Sequence, residues 1–217
     1  MIKYLVIDFD GTLVNTLPLT SEAVRRFLKY KGYTNLPTDE QVLEVMSLVG
    51  NEIIEHFMYP NKINMDEYNE VYAREVESLA LEGKPFPNVR ETLKSLKEKG
   101  IGLYILSNKA DETVRKYALT IFGEGVFDDY QGVIKGIEPK PAPYMINNLY
   151  KKYNLNPDEG LLVGDSEVDL ETAINGKIRS CIMSYGYADK NKMAKLPKPD
   201  YVLDDFAKLI DIINEDK

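Results

Sequence analysis

Two aspartates one residue apart, Asp8 and Asp10, end the apolar run Leu5-Val6-Ile7 and stand directly before Gly11. Carboxylates that close repel each other and lose hydration, so a cation, a shared proton or a charged ligand must compensate. Three more groups of polar residues follow later apolar runs or loops. Ser107 and Asn108 end the run Ile101–Leu106, Lys140 lies in Glu138-Pro139-Lys140-Pro141, and Asp165 with Asp169 follows Leu161-Leu162-Val163-Gly164. Together they supply carboxylates for a hard divalent cation, a hydroxyl and an amide for phosphate oxygens, and a fixed cation. Those are the residue types that phosphoryl chemistry uses.

The elements that must position these residues can be read from periodicity. Leu5-Val6-Ile7 reads as a central strand of a parallel sheet, since strands buried on both faces are continuously apolar. In open α/β sheets ligands bind beyond the carboxyl ends of strands, where Asp8 and Asp10 fall. From Leu19 to Lys31 the apolar spacing predicts a helix stopped by Gly32. Pro37-Thr38-Asp39-Glu40 predicts the start of a second helix ending near Leu48, followed by a short one to Tyr59 and a longer one from Met65 to Leu81. Residues 15–82 thus read as all-helical. After Gly83-Lys84-Pro85-Phe86-Pro87, a stiff linker, helices and strands alternate: a helix over 88–99, a strand over 101–106, a helix over 111–120, and Val133-Ile134 as a short strand. A helix over 142–153, a strand over 161–164, a helix through Ile174, strands at 178–183 and 201–203, and a helix over 205–213 complete the chain. This alternation implies right-handed crossovers and a parallel sheet. The fold class expected is α/β, a Rossmann-like three-layer core made of residues 1–14 and 84–217. An inserted helical cap over 15–83 is expected to lie as a lid over the strand ends.

Bulk composition narrows the partners. The 217 residues are 44% hydrophobic and 29% charged, ordinary for a globular protein, with a formal net charge of -8. That balance disfavours nucleic acid and anionic membranes. No segment approaches the roughly 20 apolar residues of a membrane span, and Asp8 and Asp10 interrupt the N-terminal apolar run, unlike a signal peptide. The single cysteine, Cys181, allows no internal disulfide. A cytoplasmic monomer or weak homodimer acting on a small molecule is the expectation.

The order of the four groups resembles the haloacid dehalogenase-like (HAD) superfamily. Asp8-Phe9-Asp10-Gly11-Thr12-Leu13, Ser107-Asn108, Lys140-Pro141 and Gly164-Asp165-Ser166-Glu167-Val168-Asp169 match its four motifs in sequence, and the helical insertion resembles the phosphoglycolate phosphatase-like subgroup. The resemblance implies a phosphatase in which Asp8 is the nucleophile and carries an aspartyl-phosphate. It implies that Asp10 acts as acid and then base, and that Asp8, Asp165 and the backbone carbonyl of Asp10 hold Mg²⁺. Ser107 and Lys140 would bind the transferring phosphoryl group, Asn108 would assist, Gly11 would permit the tight backbone path, and Asp169 would orient Lys140 or a metal-bound water. Gly50 and Asn51, in the Leu48–Asn51 stretch, are expected to face the substrate.

Taken singly these residues have plainer readings. Asp-x-Asp-Gly suits a turn, though not a calcium loop, because Leu13 and Asn15 occupy later ligand positions. Ser107-Asn108 suits a strand-end cap, and Asp165 with Asp169 a helix start. His56 reads as a packing or surface residue, and Cys181 as a small buried hydrophobe. Within the family, Asp10 argues for phosphoryl transfer over dehalogenation. The absence of Lys or Arg from Gly32 through Asn61 argues against a cap lysine for Schiff-base chemistry and a cap arginine for a second phosphate. With six basic and twelve acidic residues over 14–82, the cap also disfavours a second strong anion on the substrate. The alternatives are a phosphomutase or phosphotransferase, and a non-catalytic binding protein on this fold.

Overall fold

The computed structural model describes residues 1–46, 48, 50–80 and 82–216, without the side chains of 50, 65, 68, 69, 73, 76, 77 and 80. The chain opens with β1 (Tyr4–Ile7), β2 (Val14–Asn15) and the helices α1 (Leu17–Tyr30), α2 (Asp39–Leu43), α3 (Gly50–Met58), α4 (Met65–Glu67) and α5 (Ala73–Ala80). It continues through β3 (Lys84–Pro85), α6 (Val89–Glu98), β4 (Gly102–Ala110), α7 (Asp111–Phe122), β5 (Asp129–Val133) and α8 (Tyr144–Tyr153). The last elements are β6 (Gly160–Gly164), α9 (Glu167–Gly176), β7 (Arg179–Met183), α10 (Lys190–Met193), β8 (Tyr201–Leu203) and α11 (Leu209–Glu215).

Six strands form one parallel sheet in the order β5-β4-β1-β6-β7-β8. Every residue of β1 is buried, because both sheet faces are covered. Leu5 and Ile7 join a cluster with Val89, Leu93, Val114 and Leu209 from α6, α7 and α11, while Tyr4 and Val6 join Met145, Ile146 and Ala173 from α8 and α9. That is the three-layer α/β/α arrangement the alternating pattern implies. Register then sets the site. Ile7 is level with Ile105 of β4 and Val163 of β6, so Asp8, Ser107 and Asp165 emerge at one sheet edge.

The helices between β2 and β3 have a separate core, built on Val24, Phe27, Leu28, Ile54 and Tyr72. Their entry and exit strands pair antiparallel, Val14 with Pro85 and Asn15 with Lys84. This two-residue ribbon is absent from the sequence expectation, which has residues 15–82 all-helical and a linker at 83–87; strands this short carry no periodicity. α2 is also shorter than expected. After Leu43 the chain tightens into bonds from Val45 N to Val42 O, Met46 N to Leu43 O and Leu48 N to Val45 O, spacing closer than an α-helix. The helix expected over 65–81 is interrupted by a π-helical stretch, Tyr68–Tyr72, and Leu81 lies outside the described residues. β5 covers Asp129–Val133 and excludes Ile134. At this sheet edge only Tyr130 and Gly132 are buried, so its sequence lacks an apolar run. β4 continues past Leu106 to Ala110, and α10 has no counterpart in the sequence reading.

Candidate active site

The alternation of the first loop separates chemistry from packing. Phe9 turns into the core, while Asp8 and Asp10 turn toward a cavity of about 1230 Å³ between the sheet edge and the helical block. Asp8 Oδ1 accepts from Lys140 Nζ at 2.6 Å, and Lys140 Nζ also donates to Asp169 Oδ1 at 2.7 Å. All three side chains are buried. The loop bearing Lys140 is fastened to β4 by Asn108: its Oδ1 accepts from Lys140 N at 2.8 Å and its Nδ2 donates to Lys140 O at 2.9 Å. Both ends of the Asn108 amide are therefore engaged in holding Lys140. Ser107 is buried on the cavity wall, and its Oγ accepts from Lys109 N at 3.1 Å.

Asp165 closes the other side. Its Oδ1 accepts from Thr12 Oγ1 at 2.7 Å and its Oδ2 from Tyr187 N at 2.6 Å. Asp169, one turn on, gives Oδ2 to Asp165 N, Ser166 N and Ser166 Oγ. With Oδ1 on Lys140, both oxygens of Asp169 are engaged, which suits an orienting role. Oxygens of Asp8, Asp165 and Asp169 lie within 4.8 Å of one another. Gly11 and Gly164 allow this crowding. Gly11 has φ +83°, and a Cβ there would run into Asp165 Oδ2; one at Gly164 would run into Asp169.

Charge is the governing feature. Burial pushes the Asp8 carboxyl up to about 7, with Asp169 and Asp10 adding to the rise and Lys140 opposing it. Burial likewise holds Asp165 well above the usual carboxylate range, reinforced by Asp169 and Asp8 and opposed by the Tyr187 N–H and Thr12. Burial works against the charge of Lys140, but Asp169 and Asp8 outweigh it and raise its pKa. One ammonium thus faces three buried carboxylates. A hard oxygen donor set short of positive charge fits a divalent cation such as Mg²⁺.

Asp10 also lines the cavity, less buried than Asp8. Its Oδ1 accepts from Thr16 Oγ1 at 2.6 Å and lies 3.2 Å from Lys109 Nζ. From the helical block the cavity is lined by Thr20, Glu44, Met46, Leu48, Asn51 and Tyr72, among others. Asn51 therefore reaches the wall. Gly50 opens α3, and its surroundings, like Val49, lie outside the described residues. Among the described residues no Lys or Arg of this block lines the cavity: Arg25 pairs with Asp39, Arg26 with Glu22 and Glu75, Lys31 with Glu67, and Lys62 with Glu55. His56 is exposed on α3 against Phe57, and Cys181 is fully buried in β7.

The family model described as haloacid dehalogenase-like hydrolase matches residues 5–183, from β1 through β7. The chain belongs to that family. As a HAD-like hydrolase it is an enzyme, and it has relatives along its full length. A Haemophilus influenzae phosphoglycolate phosphatase is 33% identical over 97% of this chain and 98% of its own. A Vibrio vulnificus phosphoglycolate phosphatase is 27% identical over 98% and 96%. Among solved structures, a predicted phosphoglycolate phosphatase from Haemophilus somnus superposes with a TM-score of 0.82 at 26% identity, covering 98% of both chains. CbbY from Rhodobacter sphaeroides, solved with phosphate, shares the fold at a TM-score of 0.83 and 22% identity, covering 96% of each chain.

Four residues of this HAD-like site carried no role in the sequence reading. Thr12 stands inside the first motif and Lys109 directly after Ser107-Asn108, so adjacency was a usable signal for both. Thr16 falls before the first expected helix, with nothing to mark it. Tyr187 was one of 15 tyrosines with nothing to single it out.

Proposed function

We propose that the chain is a Mg²⁺-dependent phosphatase that hydrolyses a small phosphomonoester through an aspartyl-phosphate on Asp8. The observation that carries this reading is the buried Asp8–Lys140–Asp169 chain beside Asp165, opening on a cavity that Asp10 also lines. Asp8 attacks phosphorus, and Lys140 keeps its carboxylate aimed while offsetting charge on the phosphoryl oxygens. Ser107 and the Lys140 ammonium bind those oxygens, where charge spreads in the transition state. Asp10 protonates the leaving oxygen and then takes a proton from the attacking water, a carboxyl placed between both events. Asp8 and Asp165, with the Asp10 carbonyl, would hold Mg²⁺, which offsets repulsion between nucleophile and phosphate dianion. Residues 15–83 act as a cap that closes on a core of 1–14 and 84–217, with Gly50 and Asn51 at the start of α3 meeting the leaving group.

The leaving group is the open choice. The cap wall presents Leu48, Met46 and Tyr72 with Glu44 as its charge, which favours an uncharged leaving group such as a sugar or nucleoside moiety. A second reading is phosphoglycolate, the substrate in the names of the full-length relatives; Lys109, facing the cavity from the core side, favours it. A phosphomonoester panel with Mg²⁺, run beside Asp8→Asn, tests both. Equal turnover by variant and parent removes the mechanism. A marked preference for phosphoglycolate selects the second reading over the first.

A further inference from the structure

The loop after β7, Ser184–Asp189, touches the cation-binding carboxylate and both crossings into the helical block. Tyr187 N donates to Asp165 Oδ2 at 2.6 Å. Its phenol oxygen accepts from Leu17 N at 2.9 Å, the first residue of α1, and donates to Asn15 Oδ1 at 2.9 Å in β2. Two residues earlier, Tyr185 OH donates to Thr12 O at 2.8 Å, and its ring lies 4.5 Å from that of Phe86, just after β3. There is little slack in between. A Cβ at Gly186 would collide with the Asp165 side chain, and one at Gly11 would come 2.7 Å from the Tyr187 ring.

We propose that Tyr187 is a positioning residue that links Asp165 to the entry into the helical block at Asn15–Leu17, so that cation occupancy and order of that entry favour each other. This rests on the proposed cation site, though not on turnover. A cation that fixes Asp165 fixes the carboxylate to which the Tyr187 backbone is bonded. That backbone in turn fixes the phenol on the Leu17 amide and the Asn15 side chain. Each partner then lowers the ordering cost of the other, and the coupling is reciprocal by thermodynamic necessity. Thr12 completes the circuit, since its hydroxyl is on Asp165 and its carbonyl on Tyr185.

The Leu17 amide reports the link directly, because its hydrogen-bond acceptor is the Tyr187 hydroxyl. Amide exchange of the full chain is measured by NMR with and without Mg²⁺, beside Mg²⁺ affinity by calorimetry. In the wild type, Mg²⁺ slows Leu17 exchange at least about fivefold, the lower end of ordinary site-to-site coupling. Tyr187→Phe keeps the ring and the N–H on Asp165 but abolishes that response, and it weakens Mg²⁺ binding by a matching factor. A merely structural role gives faster Leu17 exchange in the variant with its Mg²⁺ response intact, which overturns the proposal. So does a wild type that binds Mg²⁺ with Leu17 exchange unchanged. Asn15→Ala, at an exposed strand position, gives the same readout with a partial loss if the phenylalanine variant misfolds. A wild type that binds no Mg²⁺ overturns the cation site and the link together. A silent phosphomonoester panel beside an intact exchange response overturns the phosphatase reading alone.

Discussion

Lys140 Nζ lies 2.6 Å from Asp8 Oδ1, with both side chains buried at the cavity wall. A buried charge that loses its partner costs far more than the pair contributes when intact. Lys140→Met therefore leaves Asp8, Asp165 and Asp169 without an ammonium. We expect a loss of about 3–5 kcal/mol in the metal-free protein, read by urea denaturation. Phosphatase activity should fall about 10²–10³-fold, as when one preorganised charge-stabilising donor is removed. Mg²⁺ should restore part of the stability and little of the activity.

The same buried charge sets an unusual pH dependence. The folded-state pKa of Asp8 is raised to about 7, so the native protein binds a proton that the unfolded chain releases. Its contribution is full below the ordinary carboxylate range and lost as pH rises through about 7. Asp165 is shifted in the same direction for the same reason. Denaturation midpoints in EDTA should therefore fall across that window, against the common trend of acid destabilisation. Asp8→Asn should flatten the slope, and so should saturating Mg²⁺. A midpoint in EDTA that stays level from the ordinary carboxylate range to above 7 counts against the buried-carboxylate account.

Gly11 tests the close approach at the first loop. Its φ of +83° costs an L-residue about 1–2 kcal/mol, and an added methyl also meets Asp165 Oδ2. Gly11→Ala should be destabilised by at least that amount in urea. Its Mg²⁺ affinity, measured by calorimetry, should drop as Asp165 is displaced. A variant that loses stability and binds Mg²⁺ normally would separate the turn from the site.

The cap wall invites a gain-of-function test. Met46 lines the cavity on a wall where no described Lys or Arg does. Met46→Arg should raise kcat/KM for phosphoglycolate relative to a sugar phosphate by roughly tenfold, the scale of one complementary charge of about 1.4 kcal/mol. An unchanged ratio would place the specificity determinant on the core side, with Lys109.

How much of this was legible in the chain depends on the kind of signal. β1 and β6 announce themselves because a strand covered on both faces needs unbroken apolar sequence, and Leu5-Val6-Ile7 and Leu161-Leu162-Val163 have it. β5 does not, since at the sheet edge only Tyr130 and Gly132 face inward. The β2–β3 ribbon was invisible because two residues establish no period, and α2 stopped early because Val42–Met46 closes tighter turns than its sequence distinguishes. Asp8, Lys140 and Asp165 could be named from the order of motifs. What order does not convey is division of labour: that Asn108 is engaged in holding Lys140, that Asp169 bridges Lys140 and the Asp165–Ser166 backbone, and that Thr12 and Tyr187 hold Asp165. Most of those contacts bridge separate elements, as Thr12 and Asp165 do across 153 positions, or use backbone atoms that every residue has.

The claim at the centre is that Asp8 carries the phosphoryl group. Asp10→Asn should slow hydrolysis about 10²–10⁴-fold, the scale of general acid–base catalysis, so that the phosphoenzyme accumulates. With a substrate whose leaving group needs no protonation, such as p-nitrophenyl phosphate, the variant should still be phosphorylated in Mg²⁺. Rapid acid quench, borohydride reduction and peptide mass spectrometry then read the site, because an aspartyl-phosphate is reduced to homoserine. Homoserine at position 8, dependent on both substrate and Mg²⁺ and absent from the doubly substituted Asp8→Asn, Asp10→Asn protein, is the predicted result. Phosphate released by the parent enzyme with position 8 unmodified in the variant, or with the label on another residue, would contradict it.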